Sequence, residues 1–506
     1  MKKISWSFYF ALFGLSSLFA QDINDALRYS QRNLTGTARY RGMSGAMTAV
    51  GGDLSSITLN PAGSAIFENN YFSTTASLYD VDNDASYFDT PTSRGDTDVE
   101  LNQAGIVWVF KEVSGTSDFN KIALGFNYDV ERNLDNRFFF AGVNNQSIGD
   151  YFLNFAQGIP LEFLALQPGE SISDLYQFLG QEPGLGFPAQ QAFLGFQGFI
   201  IDPIDNTGNN TQYISNIAPG SFNQNYFFSS RGRNAVINFN IATQYKNWLS
   251  LGLNLNAHTI DYRHTTLITE NNSNPGSLVR SVSFENGLDV EGTGFSFQLG
   301  AIAEVNKYIT AGLSYQSPTW YRIREATVQS LRTQLDDNST NFINPQIINI
   351  FPSYRLRTPG QWNAGLSGKI KEVALISVDY TYRDFSNNKL RPGSDPFFAQ
   401  ANADIENRLT DTSSFRLGSE YYLENFTLRG GYRFEESPFN DGGTIDDLTG
   451  FSLGLGYKFN EGWSIDFAYD YAQFDSNQSI LNTGFAQTAQ VETTLNTFVL
   501  SLNFNF

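Results

Sequence analysis

Few residues in this chain are equipped for chemistry. His258 and His264 are its two histidines, and a pair of imidazoles invites a metal or a haem. They sit six apart in an alternating segment, however, and six residues of strand span about 20 Å at roughly 3.3 Å each. One ion cannot take both, so His258 reads as an inward polar residue and His264 as a rim residue. Asp80-Val81-Asp82-Asn83-Asp84 opens like a calcium loop, but Ala85 stands where that loop needs Gly and no Glu closes it. It reads as an acidic outer loop. Gly292-Thr293-Gly294 and Gly454-Leu455-Gly456 precede no helix that would cradle a phosphate. The chain has no Cys, which removes thiol catalysis, disulfides and zinc-thiolate sites. No catalytic residue, metal ligand or cofactor is expected.

The elements that would carry these residues are strands. Phe and Tyr number 45 and 25, Gly 44, and Met only 3, a composition of half-exposed strands more than of helix bundles. Acidic residues exceed basic ones by 51 to 32, a net charge of −19 that would be repelled by nucleic acid. Residues 1–20 read as an export signal, with Lys2 and Lys3, an apolar run from Ile4 to Phe19, and Ala20 before the cleavage point. No later stretch approaches the roughly 20 apolar residues of a membrane helix. An exported aromatic-rich chain of this kind is a secreted β-protein or a membrane β-barrel.

The alternation separates the two. Phe498, Leu500, Leu502, Phe504 and Phe506 oppose Thr497, Ser501, Asn503 and Asn505; Leu249 to Leu255 oppose Ser250 to Asn256; Phe451 to Phe459 oppose Ser452 to Lys458. A sandwich strand would put Lys and Glu on its polar face. Here that face is mostly Asn, Ser and Gly, which suits a crowded lumen. Connections also alternate between long and short: 475–493, 436–449, 386–411, 327–353, 265–291, 132–232 and 81–100 are long, and those between them are short. The reading is an all-β, 14-stranded antiparallel transmembrane barrel over 67–506, with long outer loops, an extracellular insertion at 132–232 and both ends on the periplasmic side. Phe506 is a terminal aromatic of the kind the barrel assembly machinery reads.

Such a barrel is too wide for its own side chains to fill. Residues 21–66 lack strand periodicity and carry Arg28, Arg32, Arg39 and Arg41. They are expected to plug the lumen, with a short helix over Asp22 to Arg32. Asp379, Arg416, Glu420, Arg429, Arg433, Asp466 and Asp470 have inward parity and would grip the plug by buried ion pairs. The insertion holds 14 of the 45 Phe. Phe152, Phe155, Phe163, Phe178, Phe193 and Phe196 are the candidate ligand-binding set, the alternative being a self-packed lid.

Asn60-Pro61-Ala62-Gly63, after Gly51-Gly52-Asp53-Leu54-Ser55-Ser56, resembles the plug signature of the FadL/TodX outer-membrane transporters. Phe415 to Tyr421, Phe426 to Tyr432 and Gln361 to Ser367 resemble that family's later strands. The resemblance implies passive uptake of hydrophobic molecules, such as long-chain fatty acids or aromatic solutes, through the outer membrane of a Gram-negative bacterium. It implies contact with lipid and lipopolysaccharide and an apolar small-molecule ligand, and a monomer is expected. It also draws attention to β-strand three, which alternates from Ile122 to Val130 and fails from Glu131 on, so that Asp129, Glu131, Arg132 and Asn133 are the candidate lateral-exit residues. At continued parity Arg132 would face lipid, so the strand has left the membrane, bulges, or opens the wall for lateral exit. A haem-binding receptor, a barrel hydrolase and a structural or adhesive barrel are the other readings.

Overall fold

The computed structural model describes residues 23–112, 117–459, 462–481 and 487–506; residues 1–20, read above as an export signal, lie outside them. Fourteen antiparallel strands close into a barrel. They are β1 (Tyr71–Tyr87), β2 (Thr90–Lys111), β3 (Phe119–Asn133, continued by Asn136–Asn144), β4 (Phe222–Tyr245), β5 (Leu249–Asn271), β6 (Val279–Asn306), β7 (Ile309–Gln316, continued by Trp320–Leu335), β8 (Tyr354–Arg357 and Gln361–Ile370), β9 (Ala374–Asp384), β10 (Asp411–Leu423), β11 (Phe426–Glu435), β12 (Leu448–Lys458), β13 (Trp463–Ser479) and β14 (Thr488–Asn505). β1 pairs with β14 without a register break from Tyr71↔Asn505 to Ser86↔Gln490, which removes both edges.

Period-2 alternation assigns the faces. Leu453 is 59% exposed on the outside while its neighbour Ser452 is 1% exposed on the inside. Phe467 and Leu500 point out; Asp466, Asn254 and Ser501 are buried inward. Among the described residues no helix is long and apolar enough to cross a membrane. Crossing falls to the strands, whose backbone groups pair around the closed ring.

Several long outer connections are themselves largely strand. β1 and β2 meet in a two-residue turn at Phe88-Asp89, both left-handed, so 81–100 is a hairpin and the Asp80–Asp84 run is extended strand, not a loop. β5 and β6 likewise consume most of 265–291, and β13 and β14 most of 475–493. The cause is simple: above the membrane the outward side chains turn polar, as at Asp82 and Asp84, while the backbone ladder runs on. A search for apolar alternation stops at the membrane surface; the sheet does not.

Residues 23–66 lie inside the barrel as α1 (Ile23–Ser30), α2 (Ala38–Gly42), α3 (Leu54–Leu59) and a 3-10 turn, Pro61–Ile66. The insertion forms a lid from the β3 continuation, α4 (Gly149–Ala156), α5 (Ile172–Gln181) and α6 (Gly186–Gln197) before the chain returns in β4. A further helix, α7 (Pro396–Arg408), lies between β9 and β10.

Candidate functional site

The plug is built from short capped turns. Asp53 caps α3 by accepting from Ser55 and Ser56 N–H and from the Thr37 hydroxyl. Burial raises its carboxyl above the ordinary range, against the pull of Arg39 and these donors. Asn60 caps the Pro61–Ile66 turn through Ala62 N–H, with Pro61 in the first position. Its amide nitrogen donates to Thr48 O at 2.8 Å and to Ala301 O of the wall at 3.0 Å. The second contact needs a wall without side chains. A Cβ on Gly300 would sit 2.0 Å from Asn60 Oδ1, and one on Gly252 2.3 Å from the Pro61 carbonyl carbon. Gly52 N–H closes the motif on Gly63 O at 3.0 Å.

Charge holds the rest of the plug. Glu420 accepts from Arg39 at 2.8 Å through both oxygens and from Arg429 at 2.7 Å, and Arg429 reaches on to Asp466 at 2.6 Å. Asp470 takes Arg41 at 2.6 Å and Arg433 at 2.5 Å. Asp379 accepts the Thr48 N–H at 2.7 Å, and Arg416 donates to Glu435 at 3.4 Å. Each inward charge read from parity therefore stands in the lumen with a partner, and Asp379, Glu420 and Asp470 meet the plug directly.

Above the plug lies a cavity of about 1330 Å³. Its floor includes Leu34, Tyr40 and Leu59 of the plug, and Asp404, Arg408 and Asp441 line it farther out. One wall is aromatic. The rings of Phe140, Tyr226, Phe138 and Phe228 stack in sequence with centroids 4.8, 5.9 and 4.6 Å apart, and Phe228 meets His264 at 5.5 Å. Thr493 and Thr497 of β14 also line it. Two guanidiniums reach the last turn of α1 from the wall: Arg132 donates to Arg28 O and Gln31 Oε1, and Arg383 to Ser30 O and Gln361 Oε1. Both line the cavity, and neither forms an ion pair among the described residues. A helix C-terminus favours cations, which accounts for their placement.

Strand three breaks at the same level. β2 and β3 pair from Lys111↔Lys121 only as far as Gln103↔Asp129, and β3 slips register against β4 between Val130 and Arg132. This bulge turns Glu131 inward, to Arg32 at 2.6 Å and His258 Nδ1 at 2.9 Å, and brings Arg132 in to α1. The strand bulges here, and the bulge re-aims the charges that continued parity would have sent outward.

The family model described as outer membrane protein transport protein (OMPP1/FadL/TodX) matches residues 205–506, more than half of the chain. The chain belongs to this family. Among solved structures it is similar to the P. putida toluene transporter TodX (13% identity, TM-score 0.54) and to a Pseudomonas aeruginosa FadL homologue (12%, 0.53). It is also similar to the Ralstonia pickettii toluene transporter TbuX (16%, 0.50). In each case 94% of this chain and 99% of the other are covered; identities this low carry the fold. No curated protein sequence matches. As a FadL/TodX-family member the chain is an outer-membrane barrel for passive uptake of hydrophobic molecules in a Gram-negative bacterium.

Against this frame the six candidate Phe residues scatter. Only Phe155 lines the cavity. Phe152 and Phe193 are fully buried in the lid core, Phe163 and Phe196 pack against it, and Phe178 is exposed on the outer surface. The aromatic wall comes instead from Phe138, Tyr226 and Phe228, with Tyr151, Phe155 and Phe187 of the lid. The signal was present in the runs Phe138–Phe140 and Tyr226–Phe228, which pair as strands and send alternate rings inward. His258 donates or accepts with Ser296 and Glu131, and His264 with Tyr262, so both are held by protein partners. Among the described residues no cluster of three His, Cys, Asp or Glu suits a metal.

Proposed function

We propose that the solute is an amphiphile with one acidic head, of the long-chain fatty acid class. The observation that carries this reading is the pairing of an aromatic wall with Arg132 and Arg383 in one cavity. The apolar body lies along the Phe138–Phe228 stack, and each guanidinium keeps N–H donors beyond its bonds to α1 for a carboxylate. The lid, 132–232, bounds the collecting pocket. Residues 21–66 act as the hatch within the barrel of 67–506, after removal of 1–20. Release is sideways at Asp129, Glu131, Arg132 and Asn133, because an apolar solute gains more by entering lipid than by crossing periplasmic water. The protein performs no bond chemistry. It contacts lipid and lipopolysaccharide, works as a monomer, and presents Phe506 to the assembly machinery.

The relatives named for toluene make a neutral aromatic hydrocarbon the competing cargo. Mass spectrometry of apolar compounds retained on purification is expected to find carboxylic acids, and R132Q/R383Q is expected to lose them while still binding toluene. Equal loss of both ligands, or retention of hydrocarbon alone by the parent protein, would remove the acid-head reading. Cross-linking β3 to β2 beside Asp129 through introduced cysteines is expected to stop uptake and spare binding; unchanged uptake would mean axial passage.

A further inference from the structure

β2 runs thirteen residues past its last pair with β3, from Asn102 up to Thr90, bonded on that stretch to β1. β3 stays paired with β4 at this level (Asn133↔Arg233), and side chains from both strands reach back to β2. Arg233 of β4 sends Nη1 to within 2.9 Å of Glu100 Oε1 on β2, and Asn133 Nδ2 of β3 adds a bond of 3.1 Å to Glu100 Oε2. Beside them Arg231 stands 3.5 Å from Asp96 and 2.6 Å from Asp135, and Arg137 also stands 3.5 Å from Asp96. Gly232 joins the two arginines at φ +135°, where a Cβ would lie 2.1 Å from Asp261 O. Only glycine tolerates both the dihedral and the approach. On the lipid side Val99 and Leu101 of β2 are exposed.

We propose that Glu100 and Asp96 with Arg233 and Arg231 form a side-chain latch over the wall opening and set which solutes leave by it. This rests on the lateral-exit reading above. A backbone ladder opens only when strands part, whereas an ion pair opens by rotation of a side chain. The carboxylates are buried, but the Arg233 and Arg231 side chains are 50% and 44% exposed, so the pairs hold weakly. Their long methylene stems offer an apolar tail a surface to slide along. Water and small ions meet instead a closed row of paired charges.

The chain has no native Cys, so E100C/R233C carries the only reactive thiols. Joined by a short bis-maleimide with a reducible spacer, it is expected to take up a fluorescent long-chain fatty acid no faster than cells lacking the protein, and to recover on reduction. E100Q/R233Q is expected to raise the initial uptake rate by about threefold, the scale of one exposed ion pair. Parent uptake should also rise with ionic strength, since salt screens exposed pairs, and that rise should vanish in E100Q/R233Q. E100Q alone serves if the double variant does not assemble. Uptake that ignores the cross-link overturns the exit itself. Uptake that the cross-link blocks, but that neither the neutral pair nor salt accelerates, leaves the exit standing and overturns the latch.

Discussion

At the inner end of the lumen, residues 34–66 meet the wall through Arg39, Arg41, Thr48 and Asn60; at the outer end the lid meets it through Phe152, Phe193, Tyr176 and Phe284. Both fill one barrel, yet one seat is polar and the other aromatic. Hydrogen bonds and ion pairs exchange for water at small net cost, whereas each buried Phe withdraws about 1.5–3 kcal/mol of apolar surface that water cannot replace. On these terms the polar seat is the one expected to shift when a solute arrives, and the lid is expected to hold as a roof.

Four substitutions test this contrast, from the largest effect down. Phe193→Ala empties a fully buried site in the lid and should cost about 3–5 kcal/mol; limited proteolysis is expected to cut the 132–232 segment while ion conductance stays at the parent level. Conductance that rose as well would tie the lid to the plug and undo the contrast. Glu420→Gln leaves Arg39 and Arg429 facing a neutral group, at about 3 kcal/mol for a broken buried pair. Here the expected result in planar bilayers is the reverse: an open ion channel with the lid still resistant to protease. Gly300→Val drives methyl groups into Asn60 and Pro61 and should cost about 2 kcal/mol as overpacking, seen as flickering conductance; a silent variant would mean the plug does not bear on that wall. Arg324→Ala removes an exposed pair with Glu291 outside both seats and should change stability by less than about 0.5 kcal/mol in a denaturant-refolding assay. It sets the floor against which the other three are read.

The parts legible in the sequence are those governed by period two. Strand number, lumen face and the charges that meet the plug all follow from parity, because a one-residue error would turn Asp466 or Glu420 into lipid. The helical lid has no such rule. Phe178 and Phe193 look alike in sequence, yet one is exposed and the other fully buried, since helix packing depends on neighbours remote in the chain. The cavity arginines were half-hidden for the same reason. Arg132 drew attention only as a charge in the wrong place, and Arg383 not at all, because the carbonyls that accept from them belong to α1, 104 and 353 residues away.

Ser501 bears on how such a molecule is made. Its hydroxyl lies 2.7 Å from Thr75 Oγ1 across the β1–β14 seam and accepts the Ala38 N–H of α2 at 2.8 Å. Ala38 also packs with Ala468 and Val499 in a buried cluster. The pairing that closes the barrel joins strands more than four hundred residues apart, and here its surface is shared with the segment it encloses. The shared surface predicts an order of biogenesis: the amino-terminal stretch is seated first, and the seam zips shut over it, with the hatch serving as the mandrel on which the wall is wound.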